Sequence, residues 1–188
     1  MARASRSATG YGMGLGPQPI ATISLAMVTA GFAGSTLTPR LARRLGDRAV
    51  LASGGGLISL GFLGMVLFHD TLAQYVACAL VVGLATGLFE SITRTLSAEV
   101  VEEPETALAV GLNELALGAA IGAAVIGAFF AAHAVRGTTH ISESGYLWGW
   151  GACACAALVG MALALRYRGP REAHATYGQQ SARSGELA

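Results

Sequence analysis

Hydrophobic and polar positions segregate along this chain into long blocks. Residues 17–39 carry no charged side chain, nor do 49–68 and 144–165. Residues 71–97 carry two, Glu90 and Arg94, and residues 106–132 carry one, Glu114. These five windows hold 119 residues and 3 charges, against 20 charges in the other 69 residues. Each window is long enough to cross a hydrocarbon core about 30 Å thick as a helix. Helices of a soluble bundle would show a polar face at a 3.6-residue period. These windows are apolar all round, so lipid is the solvent they fit. The pattern predicts an all-α membrane protein with five transmembrane helices, at about 17–38, 49–68, 72–96, 106–132 and 145–166, forming one domain over 17–166.

The polar segments between the windows complete the outline. Residues 1–16 are rich in Gly, Ser and Arg and read as an irregular external lead-in. A loop, Pro39-Arg-Leu-Ala-Arg-Arg-Leu-Gly-Asp-Arg48, follows the first window. A short turn, His69-Asp70-Thr71, follows the second. Glu99, Glu102, Glu103 and Glu105 make an acidic loop after the third, and 133–144 is a polar loop after the fourth. Tyr146, Trp148 and Trp150 open the last window, as an interfacial aromatic belt would. The tail 167–188 is polar and reads as disordered.

Composition strengthens this class and removes others. Charged residues make up 12% of the 188, about half the usual share for a soluble domain, and mean hydropathy is +0.55. Net charge is +1, which gives no electrostatic footprint for nucleic acid. Cys78, Cys153 and Cys155 all fall inside windows and read as small packing residues. No Ser/His/Asp constellation or metal-spaced His/Cys cluster occurs, and Gly54-Gly55-Gly56 is not followed by the Lys-Ser/Thr of a phosphate loop. The chain reads as a non-enzyme without cofactor or metal. Gly83/Gly87, Gly118/Gly122 and Gly145/Gly149 match the small-xxx-small helix-packing pattern. With 26 Gly in the chain such matches arise by chance, so they support close packing only weakly.

Every basic residue besides His is arginine, and arginine placement predicts orientation. Five spans put the termini on opposite sides. Arg40, Arg43, Arg44, Arg48, Arg166, Arg168, Arg171 and Arg183 fall on one side, and Arg3, Arg6 and Arg136 on the other. The excess places the arginine loop and the tail in the cytoplasm and the N-terminus outside. Arg3 and Arg6 could instead open a signal peptide, but the long apolar stretch with four arginines directly after it is the pattern of a span.

Ionisable groups inside a membrane are expensive and face a cavity or a partner. Glu90 and Arg94 are one helical turn apart, which predicts an ion pair on one helix face. Glu114 has no cation at i±3 or i±4. Desolvation disfavours its charged form, which suits a group that loads and unloads protons. With helices ending near Ser97 and starting near Ala107, Glu90 and Glu114 lie at similar depth in the cytoplasmic half. Asn113 beside Glu114 is an interhelical hydrogen-bonding residue or a cargo ligand.

The segment Pro39–Arg48 resembles the loop motif G-x-L-a-D-R-x-G-r-R of the major facilitator superfamily, which joins the second and third helices of each half. Arg40, Arg44, Gly46 and Arg48 match; Pro39 stands at the usual Gly and Arg43 at the usual Asp. The run Glu105-Thr-Ala-Leu-Ala-Val-Gly-Leu-Asn-Glu114, with Leu117-Gly-Ala-Ala-Ile-Gly122 and Val125-Ile-Gly127, resembles the penultimate helix of multidrug:proton antiporters of the quaternary-ammonium efflux type. Glu114 falls at that helix's acidic position, while the Arg usual after it is absent. The resemblance implies the last five helices of a C-terminal half, with the other helices supplied elsewhere. It implies a plasma-membrane, proton-coupled efflux transporter for hydrophobic or cationic small molecules, working by alternating access. The alternative is a non-transporting membrane protein, a truncated remnant or a subunit that packs against another membrane chain. The expected partners are the bilayer, the cargo, protons and the missing helices.

Reporter fusions test the topology. Signals at Gly46, Asp70, Glu103, Thr139 and Gln180 are expected to alternate in, out, in, out, in. A cytoplasmic signal at Asp70 or Thr139 would overturn the five-span arrangement.

Overall fold

The fold is a computed structural model that describes residues 15–100, 119–135 and 141–166. Among them are five helices: α1 (Pro17–Leu45), α2 (Asp47–Leu67), α3 (Leu72–Val100), α4 (Ala119–Ala132) and α5 (Glu143–Arg166). A lone antiparallel bridge joins Ala134 to Ile141 between α4 and α5. By length and composition α1, α2, α5 and the stretch Leu72–Leu96 of α3 can cross a membrane. The window expected over 106–132 is described from Ala119 onward.

Helix boundaries differ from the expected ones in an informative way. The loop expected over 39–48 is helical almost throughout: α1 runs to Leu45, α2 begins at Asp47, and Gly46 alone joins them. Charge ends the apolar window but does not end the helix, because Arg, Leu and Ala are all strong helix formers. Pro39 lies inside α1 and cannot donate to the Ser35 carbonyl. The Ser91 hydroxyl of α3 donates to that carbonyl instead, at 3.5 Å. The break comes where a left-handed residue is needed: Gly46 has φ +84°, the one positive φ among the described residues. α3 likewise continues past Ser97 to Val100, and α5 starts two residues earlier than expected.

The helices pack in the spatial order α1, α3, α2, α5, α4. The extensive contacts are α1 with α3, α2 with α5, and α2 with α3; α1 touches its chain neighbour α2 far less. Register gives the directions. Met27 lies against Gly83, Gly31 against Gly87 and Ser35 against Ser91, so α1 and α3 are parallel with a constant offset of 56 residues. Gly54 faces Phe89, Gly61 faces Val82 and Gly64 faces Cys78, so α2 and α3 are antiparallel. Arg48 reaches Leu165 while Gly55 meets Met161, so α5 runs against α2. Phe130 meets Gly149 and His133 meets Gly145, so α4 runs against α5. Successive helices therefore alternate in direction, as expected of consecutive spans.

Small residues set these contacts. A Cβ on Gly87 would overlap the Gly31 carbonyl, one on Gly34 the Leu84 carbonyl, and one on Gly83 the Met27 carbonyl. The Gly83/Gly87 pair is thus a true packing seam, stronger than its chance frequency suggested. The glycine triplet lets α2 sit between two neighbours: Gly54 against Phe89 of α3, and Gly55 against Ala157 and Met161 of α5. Larger side chains gather at either end, Val50, Ile92 and Leu96 at one and Met65, Ala79 and Val82 at the other. The outer face of α1 stays open, with Leu25, Val28 and Phe32 each about 70% exposed.

Overpacking a seam costs about 1–3 kcal/mol, so Gly87→Ala should destabilise the fold by that amount in mixed-micelle unfolding. Gly160, with nothing within 4 Å of an added Cβ, is the control. Gly160→Ala should change stability by less than about 0.5 kcal/mol.

Candidate functional site

The α1–α3 seam opens on one side into a groove of about 500 Å³. Its walls include Met27, Val28 and Phe32 of α1 and its polar lining includes Thr86 and Ser91 of α3, with Glu90 and Arg94 at the same face. The glycines make this groove. They bring the two backbones together, and the side chains beside them stand out as walls around a polar strip. Within α1 the hydroxyls are satisfied locally: Thr22, Ser24 and Thr29 each donate to the carbonyl four residues earlier. Thr38, buried at the seam, donates to the Gly34 carbonyl at 3.1 Å and approaches the Leu88 carbonyl of α3 at 3.5 Å.

Glu90 and Arg94 form the ion pair their spacing predicts, Arg94 Nη2 to Glu90 Oε2 at 3.5 Å. Both side chains are about half exposed, so the pair lines the groove instead of filling the core. α3 continues to Val100, past its membrane-spanning stretch, which ends at Leu96, six residues or about 9 Å beyond Glu90. Asn113 and Glu114 lie outside the described residues, as do the acidic loop 101–105 and the tail.

The arginine motif divides between two surfaces. Gly46 supplies the left-handed joint. Arg48, on the first turn of α2, donates to the Leu165 carbonyl at the last turn of α5, where a cation also complements the helix dipole. Arg40 and Arg44 remain exposed on α1.

At the opposite end of the bundle lies a cluster that sequence reading missed. Trp150 packs on His69, Tyr75 and Tyr146 with ring centroids 6.1–6.2 Å apart, and Tyr146 also meets Phe130 at 5.4 Å. His69 Nε2 lies 3.5 Å from Glu143 Oε1, at the start of α5, and its Nδ1 lies 3.0 Å from the Val66 carbonyl. The expected aromatic belt thus splits. Tyr146 and Trp150 turn inward, while Trp148 stays 64% exposed. The i, i+4 spacing of Tyr146 and Trp150 was the available signal.

The sequence model of the Major Facilitator Superfamily matches residues 7–187 of the chain. The chain belongs to the major facilitator superfamily. Searches of curated proteins and of solved structures return no match. Membership of the major facilitator superfamily agrees with the alternating apolar helices and makes this a membrane protein of a transporter family. It also gives the α1–α3 groove a context, because transporters of this kind move small molecules between packed helices.

Proposed function

We propose that the chain acts in a proton-coupled efflux transporter for hydrophobic or cationic small molecules, located in the plasma membrane with its N-terminus outside. The observation that carries this reading is the groove between α1 and α3, which combines apolar walls with a half-exposed carboxylate, Glu90, inside a membrane-spanning helix. Met27, Val28 and Phe32 offer a surface for an apolar cargo. Glu90, paired with Arg94 on the same helix face, attracts a cationic one. Glu114 is the proton carrier in this scheme, since no Arg or Lys stands three or four positions from it in the sequence. Asn113 beside it orients cargo or a neighbouring helix.

Alternating access needs two bodies that move about a site between them. α1 and α3 supply one wall of the groove. In this scheme further helices, in another membrane chain or in another part of a longer polypeptide, supply the opposite wall. The exposure of Leu25, Val28 and Phe32 beside polar groove residues also supports a second reading, a helix-packing subunit that does not itself transport.

Proton-gradient-driven dye efflux in a pump-deficient host separates these readings. In the assembled transporter, Glu114→Gln should reduce pH-driven efflux to the level of de-energised vesicles while leaving insertion intact. Glu90→Gln should keep proton coupling and weaken the efflux of cationic dyes, with a stability loss of about 1 kcal/mol, the upper end for a half-exposed pair. Full efflux by Glu114→Gln would overturn the proton-carrier assignment. Residues 1–188 expressed alone should show no gradient-dependent efflux.

A further inference from the structure

The arginines around the α1–α2 joint do not share one task. Arg48 is tied to the Leu165 carbonyl. Arg40, Arg43 and Arg44 are exposed and form no ion pair among the described residues. With Leu37 and Leu41 they line a recess of about 430 Å³. Helix geometry gives its direction. α1 meets α3 through Gly31, Gly34 and Thr38. At about 100° per residue, Arg40, Arg43 and Arg44 occupy an arc centred almost opposite that contact. The three guanidinium groups therefore point away from α3.

Depth narrows the choice of ligand. Arg40 is the first charged residue after the uncharged run 17–39. At 1.5 Å per residue that run spans about 35 Å, slightly more than the hydrocarbon core, which brings the arginines to the level of the lipid phosphates. An uncharged helical run that ends in a cluster of guanidinium groups matches a phospholipid from acyl chain to headgroup. We propose that this recess binds the headgroup phosphate of an anionic phospholipid, with an acyl chain lying along the face of α1 turned away from α3. The planar guanidinium fork grips phosphate oxygens two at a time. Leu37 and Leu41 keep the ester end of the lipid beside it. Each arginine near an anionic surface contributes about fivefold in affinity.

Native mass spectrometry of the purified full chain in detergent tests this. The probes are phosphatidylglycerol and phosphatidylcholine of matched acyl chains. Phosphatidylglycerol should be retained in preference, about fivefold more weakly in each of Arg40→Gln, Arg43→Gln and Arg44→Gln, and on the order of a hundredfold more weakly in the triple variant. Arg48→Gln should bind as the wild type does, and millimolar inorganic phosphate should not displace the lipid. Equal retention of the two lipids, or unchanged binding in all three single variants, overturns the proposal; the single variants decide if the triple variant does not insert. Displacement by inorganic phosphate would instead identify a free-anion site and also overturn it. If preference appears only after Glu99, Glu102, Glu103 and Glu105 are changed to Gln, the acidic segment is the true occupant and the lipid assignment fails.

Discussion

Helices in lipid gain nothing from hiding apolar side chains from one another, because acyl chains are as apolar as leucine. What holds them together is backbone proximity and the dispersion contacts it permits. In this chain that constraint is met most severely between α1 and α3, where Gly34, Gly83 and Gly87 leave no room for a Cβ and Gly31 leaves little. The 56-residue register follows from that seam, and so does the meeting of Ser35 with Ser91. The groove beside the seam, with Glu90 and Arg94 on its face, exists because two helices approach this closely with larger side chains to either side.

The same solvent forbids unpaired backbone groups. α1 is rich in residues that would strain a helix elsewhere, with a proline inside it and hydroxyls on several faces. Each finds a local answer. Ser and Thr side chains bond back to carbonyls of their own helix, and the carbonyl orphaned by Pro39 is met by Ser91 from α3. Ser59, buried in α2, is the exception among the described residues, with no partner for its hydroxyl.

How much of this was legible in the sequence depends on the range of the interaction concerned. The class, four of the apolar windows and the Glu90–Arg94 pair follow from spacing within a single helix, and the structure agrees; the window 106–132 is described only from Ala119. The arginine segment was misread as a loop because charge marks the membrane boundary while helix propensity marks the helix boundary, and the two need not coincide. The glycine seam could not be ranked from sequence. Gly83 and Gly87 show the familiar spacing of four, but their partners Met27 and Gly31 are far away in the chain, and only one of them is a glycine. Gly145 and Gly149, with the same spacing of four, serve a different neighbour, accommodating His133 and Phe130. The groove needed the register of two distant helices, which no local pattern encodes. Glu114 and Asn113 rest on spacing and resemblance alone.

A joint of one residue cannot lengthen. With only Gly46 between them, the end of α1 and the start of α2 stay within about two Cα–Cα steps, roughly 7 Å, whatever the helices do elsewhere. Any change of angle between them has its fulcrum at that point and its largest displacement at the far end. Over a lever arm of 30 Å, each 10° of tilt separates the far ends by about 5 Å. The arginine end of this pair is thus kinematically the quiet one, and the end that carries the His69 and Trp150 cluster is where the same motion is amplified.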